Sequence, residues 1–177
     1  MNSYTIGGKW LDDLNAELSG SDRACAVLAG AVVDDRLKTL LQKYLLPPRV
    51  KSSDKLLGRS SPLESFSSRI ELAQRLNLIT EETRKSLDWV RDIRNDAAHK
   101  GDFSFDSDAI RDRVNNILMA MRLSERAPSL LRPPYDLPKG RFVAAMVVLV
   151  GGLDVEIGET VQTQHVPINA IANASLP

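Results

Sequence analysis

The sequence predicts an all-α fold, a helical bundle of about five to seven helices followed by a loosely structured C-terminal tail. Apolar residues recur at three- and four-residue spacing between residues 24 and 121, the periodicity of helices with one buried face. Capping residues (Ser, Thr, Asp) open these runs, and Pro or Gly closes them. The one segment of mixed strand and helix composition, residues 142–150, has no obvious strand to pair with, so it is read as a buried helix closing the bundle.

Residues 1–20 form an N-terminal arm in which a short helix docks through Trp10, with Leu11 and Leu14 nearby. The helical domain spans residues 21–153. Ser21 or Asp22 caps its first helix by accepting from a free backbone N–H. Ala24, Val27, Leu28, Ala31 and Val32 are expected to face inward, then Leu37, Leu40, Leu41, Tyr44 and Leu45, until Pro47-Pro48 ends the helix. The apolar face drifts between these halves, so this helix should meet neighbours on more than one side. Asp35 falls on the inward face of the first half, where a buried carboxylate needs a partner; the alternative is that the helix bends and Asp35 reaches water.

Residues 49–65, rich in Ser with Gly58 and Pro62, read as a loop. Phe66, Ile70, Ala73 and Leu76 mark the inward face of the next helix. Thr80 caps another, with Glu81 and Glu82 at the positive end of its dipole, and that helix runs through Leu87, Val90, Ile93 and Ala97 to a stop near Gly101. Asp106 or Ser107 opens a helix with Ile110, Val114, Ile117, Leu118 and Met121 inward. Prolines 128, 133, 134 and 138 then break the chain before the apolar run. Residues 154–177 read as an extended or disordered tail, and His165 within it has no evident role.

Composition excludes several functions. Lys and Arg number 23 and so do Asp and Glu, a net charge of zero that argues against a strong sequence-independent grip on DNA. The single cysteine, Cys25, lies among small apolar neighbours and reads as a buried hydrophobe. The opening MNSYTIGGKW has no charged segment followed by an apolar one, so no signal peptide is expected. The longest apolar run is far short of a membrane span, so no membrane association is expected and the cytoplasm is the simplest address. No metal-ligand set stands out, no cofactor is implied, and Gly58-Arg59-Ser60-Ser61 and Gly151-Gly152-Leu153-Asp154 lack phosphate-loop spacing.

Three stretches carry a resemblance: SDRACAVLAGAVVDDRLKTLLQKYLL, then LLGRSSPLESFSSRIELAQRLNLIT, then LDWVRDIRNDAAHKGDF. In that order they resemble the mannitol-operon-repressor (MltR-like) family across residues 21–125. The resemblance implies an all-helical fold and a role in transcriptional regulation. The residues themselves show no helix-turn-helix pair with a basic second helix, and the arginines are interleaved with acids. A regulator of this kind is expected to act through another protein, touching DNA weakly or indirectly, and as a homodimer.

The segment Arg94 to His99 also resembles the Arg-x4-His signature of HEPN ribonucleases. That resemblance implies a HEPN-like bundle and an alternative function, a metal-independent endoribonuclease or toxin acting on RNA, with an antitoxin-like protein partner. There Arg94 would clamp phosphate oxygens and His99 would act as acid or base. On an ideal helix the two side chains stand roughly 140° apart, so convergence requires a loosened helix end or two subunits. In the competing reading Asp35, Arg69, Arg94, Asn95, Asp96 and His99 form a structural or ligand-binding polar cluster. Arg94 then pairs with Asp35 or another inward carboxylate, Asn95 bonds a loop, and His99 caps its own helix. Arg69 either pairs with Asp35 or is exposed.

Overall fold

The computed structural model describes residues 9–48 and 54–162, and every regular element among them is helical. The α-helices are α1 (Lys9–Ala16), α2 (Asp22–Tyr44), α3 (Phe66–Arg75), α4 (Glu81–His99), α5 (Asp108–Ala120), α6 (Leu123–Arg126) and α7 (Pro138–Glu159), with a 3-10 turn at Pro128–Leu131. α2 forms the axis, packed on α1, α3, α4 and α7, while α5 closes the bundle against α4 and α7.

The caps follow from the sequence. The Ser21, Ser65 and Thr80 side chains accept from Ala24, Ser68 and Thr83 N–H at the starts of α2, α3 and α4. α3 ends where Asn77 takes a left-handed φ of 55° and Leu78 N–H turns back to the Ala73 carbonyl at 2.9 Å. Pro138 opens α7 in the first turn, where its missing N–H leaves no bond unmade. α7 then buries Phe142, Val143, Ala144, Ala145 and Met146 in succession, as a helix surrounded by neighbours does.

α2 differs from expectation in phase. Its buried residues are Cys25, Ala26, Ala29, Gly30, Val33, Leu37, Leu40 and Leu41, whereas Ala24, Val27 and Ala31 are exposed. Small residues take the inner face because a neighbouring helix comes too close for larger ones. A Cβ on Gly30 would lie 2.8 Å from the Cβ and 2.7 Å from the Cγ of Arg94 on α4. Cys25 is fully buried, and burial pushes its thiol up to about 12, so it is an inert core residue.

The arm docks chiefly through Leu14, which is fully buried, with Trp10 only partly buried against the core. At the other end α7 continues past residue 153 to Glu159, overturning the expectation of a tail from residue 154. Leu153 and Ile157 keep the helical phase against the core, and Arg36 Nε lies 2.8 Å from Asp154 Oδ1, a charge contact rather than an aligned hydrogen bond. The rest of the expected tail, His165 included, lies outside the described residues.

Two helix C-termini, and the turn that follows α1, are capped by cations reaching from other helices. Arg23 of α2 donates to the Ala97 carbonyl at 2.5 Å, the Lys100 carbonyl, and the Gly101 carbonyl at 3.1 Å, at the end of α4. Lys43 of α2 donates to the Ile157 carbonyl, and to that of Gly158 at 3.2 Å, at the end of α7. Lys139 of α7 donates to the Glu17 and Gly20 carbonyls just beyond α1, at 3.2 and 2.8 Å. Lys139 also meets Asp22 at 2.8 Å, and Asp22 accepts from Phe105 N–H at 2.9 Å and the Ser104 hydroxyl at 3.2 Å. This fastens the α4–α5 loop, whose Phe105 ring packs 5.0 Å from that of Phe142. Burial alone would raise the Asp22 carboxyl, but the bonds from Lys139, Phe105 and Ser104 outweigh it and hold the group below its usual range.

Gly152 lies inside α7 with open space around it, so Gly152→Ala should raise stability by up to about 1 kcal/mol, or about 2–4 °C in Tm. Gly30→Ala should lower stability by about 1–3 kcal/mol, because it must displace the root of Arg94 rather than a flexible tip. Differential scanning calorimetry of the two variants should give shifts of opposite sign. Asp22 has a depressed folded pKa, so its contribution is present above the unfolded value near 3.8 and is lost as pH falls through the folded value. Asp22→Asn should therefore cost about 2 kcal/mol at pH 7 and much less at acid pH, as measured by denaturant melts across the pH range.

Candidate functional site

A cavity of about 650 Å³ opens between α2, α3, α4 and the loop before α3. Gly30, Ala31, Asp34, Asp35 and Lys38 line it from α2, the spacing that puts residues on one helical face. α4 contributes Arg91, Arg94 and Asn95, again one face. Ser65, Phe66, Ser67 and Arg69 come from the start of α3.

The loop wall is held by its own polar groups. Asp54 accepts from the N–H groups of Leu56 and Leu57, both at 2.9 Å, an arrangement typical of Asp in turns. The Ser61 hydroxyl sits between the carbonyls of Leu56 and Gly58 at 2.7 and 2.6 Å, and Glu64 accepts from Ser60 N–H at 2.7 Å. Leu57 inserts into the core, and Arg59 and Glu64 are left at the cavity.

Part of the cavity wall is a bidentate ion pair. Arg69 Nε and Nη2 donate to the two Asp34 oxygens, each at 2.8 Å, and Nη1 donates to the Leu63 carbonyl at 2.9 Å. Arg69 is thus buried and paired, but its partner is Asp34. The expected partner, Asp35, has a side chain 70% exposed and lies 3.6 Å from Arg36. A one-residue error on α2 moves a side chain about 100° around the axis, which is the phase error made for this helix.

The rest of the expected polar cluster is divided. Arg94 and Asn95 line the cavity, but no Arg94–Asp35 pair forms; Arg94 is exposed and donates to Asn95 Oδ1 at 3.0 Å. Asp96 lies outside the cavity wall and holds Lys100 at 2.9 Å and Arg113 at 2.5 Å. Its burial would raise the carboxyl, and those two cations more than reverse the effect, lowering it. His99 is exposed at the end of α4, outside this cavity's walls, and the last carbonyls there are taken by Arg23 rather than by His99. α4 keeps its pitch, with Lys100 N–H bonded to the Asp96 carbonyl at 2.9 Å, so Arg94 and His99 leave it on different sides within one chain.

Sequence reasoning missed Asp34, Lys38 and Arg59. Asp34 and Lys38 are marked by their four-residue steps from Gly30, a signal that becomes readable once the small residues are recognised as the inner face. Arg59 depends on the loop's path and has no such signal. Among the described residues no group of His, Cys, Asp and Glu is arranged to hold a metal ion, and no helix is long and apolar enough to cross a membrane.

No family model matches the sequence, and no curated protein matches it. Two solved structures share its fold. One is described as a possible transcriptional regulator, YggD from Shigella flexneri, with a TM-score of 0.62 and 13% identity over 81% of this chain and 98% of that one. The other is a chain of the MtlR–HPr complex from Escherichia coli, with a TM-score of 0.51 and 18% identity over 85% of this chain and 99% of that one.

The buried pair and its exposed neighbour should respond differently. Arg69→Ala leaves Asp34 uncompensated and should cost about 3–5 kcal/mol, whereas Asp35→Ala should stay within about 0.5 kcal/mol of the parent. Urea melts of both variants check the assignment.

Proposed function

We propose that this protein is a transcriptional regulator of the MltR-like type that works through contacts with another protein and has no DNA-reading element of its own. The observation that carries the proposal is the fold likeness: nearly the whole of a possible regulator and of a chain from a protein–protein complex superposes on this chain. The charge distribution supports it. Arg84 sits on Glu81 and Asp88, Arg91 on Asp88 and Asp92, and Arg113 on Asp96, so these guanidinium groups are already neutralised by carboxylates. A DNA-reading second helix presents its N-terminal residues to base edges. The helix after the α3 turn, α4, instead begins with the exposed acids Glu81 and Glu82, and the first cations behind them, Arg84 and Lys85, sit on Glu81.

The test combines capture with a gel shift. The tagged protein should retain a specific partner from extracts of its own cells, and a shift of promoter DNA should require that partner. Tight, salt-sensitive and sequence-selective binding of DNA by the purified protein alone would overturn the proposal.

A further inference from the structure

We propose that the cavity between α2, α3 and α4 binds a small multivalent anion, a phosphate or polycarboxylate compound, through Arg94, Arg59 and Lys38. This inference does not depend on the regulatory reading.

Arg94 is unusual among the arginines of α4. Arg84 and Arg91 each contact two carboxylates, while Arg94 donates only to the neutral side chain of Asn95. Its guanidinium retains N–H donors in the fork geometry that matches phosphate and carboxylate oxygens. Among the described residues, Arg59 and Lys38 have no ion-pair partner, yet both line the same cavity.

The acids of the cavity do not cancel these cations. Asp34 is occupied by Arg69 through both oxygens, whereas Glu64, which accepts from Ser60 N–H, keeps its negative charge. Asp35 is largely solvated beside Arg36. Arg94, Arg59 and Lys38 thus outnumber Glu64 and Asp35, and the cavity keeps a positive surplus.

The seat of Arg94 is a second, independent observation. A glycine inside a helix costs about 1 kcal/mol relative to alanine, yet Gly30 stands in the middle of the 23-residue α2. Its missing side chain is where the stem of Arg94 lies, so that stem has a defined path across α2. A floppy surface arginine would need no such space. The cavity volume of about 650 Å³ falls in the range of small-molecule sites, and its walls are mainly charged and hydroxylated, which suits a polar anion rather than an apolar ligand.

Isothermal titration with pyrophosphate and with citrate tests the site, the two probes separating phosphate from polycarboxylate chemistry. The intact protein should bind at least one of them at one per chain, more weakly as NaCl is raised. Arg94→Gln and the double variant Lys38→Gln/Arg59→Gln should each weaken binding by about tenfold or more. Arg111→Gln, whose guanidinium sits on Asp108 of α5, should leave it unchanged. The double variant leaves the Gly30–Arg94 contact untouched, so its fold is not at risk. Absence of binding by the intact protein to both probes at about 10 mM, or affinity equal to the parent's in the Arg94 and double variants, would overturn the proposal.

Discussion

The fold depends on how closely α2 and α4 approach. Ala26, Ala29 and Gly30 are buried, and no side chain larger than hydrogen fits at Gly30. With that spacing set, Leu37, Leu40 and Leu41 further along α2 are buried in the same core as Leu87, Val90 and Ile93 of α4 and as the apolar length of α7. Close packing of this sort tolerates little change in volume. The side chain that fills the notch at Gly30 is a polar one, Arg94, so one contact serves both the core and the charged cavity above it.

A second constraint is electrostatic. The last carbonyls of a helix have no partner within it and carry partial negative charge. In this bundle Arg23 and Lys43 of α2 meet those groups on α4 and α7, and Lys139 of α7 meets the turn after α1. Each bond spans a long stretch of sequence, so it joins the ends of elements that are distant in the chain. Asp22 accepts from the α4–α5 loop and meets Lys139, which ties both ends of this scheme to the start of α2.

The boundaries of most helices were legible in the sequence because capping is local. Ser21, Thr80 and the Pro47-Pro48 pair act on the residues beside them, and the helix over residues 142–150 followed from the lack of a strand partner. The phase of α2 was not legible. Periodicity weights large apolar residues, so it selected Val27 and Leu28, while packing selected the small residues on either side of them, Cys25, Ala26, Ala29 and Gly30. The same error exchanged Asp34 for Asp35 as the partner of Arg69. At the site, Arg94, Asn95 and Arg69 were recognisable, whereas Arg59 depends on the path of a loop that no local rule gives. His99 looked like the natural cap for its helix because it is near in sequence, but Arg23 holds that position through tertiary contact.

The wall formed by the loop before α3 is built differently from the helical walls. Its hydrogen bonds around Asp54, Ser61 and Glu64 run among its own residues, and it is anchored to the bundle by Leu57 and by the Arg69 bond to the Leu63 carbonyl. Residues at the tip, including Arg59, can therefore be exchanged with little effect on the helix crossing below. Ligand preference and fold stability are separable traits here: recognition can drift through the loop while Gly30 and Arg69 stay fixed, a division of labour that lets one bundle acquire new specificities in small steps.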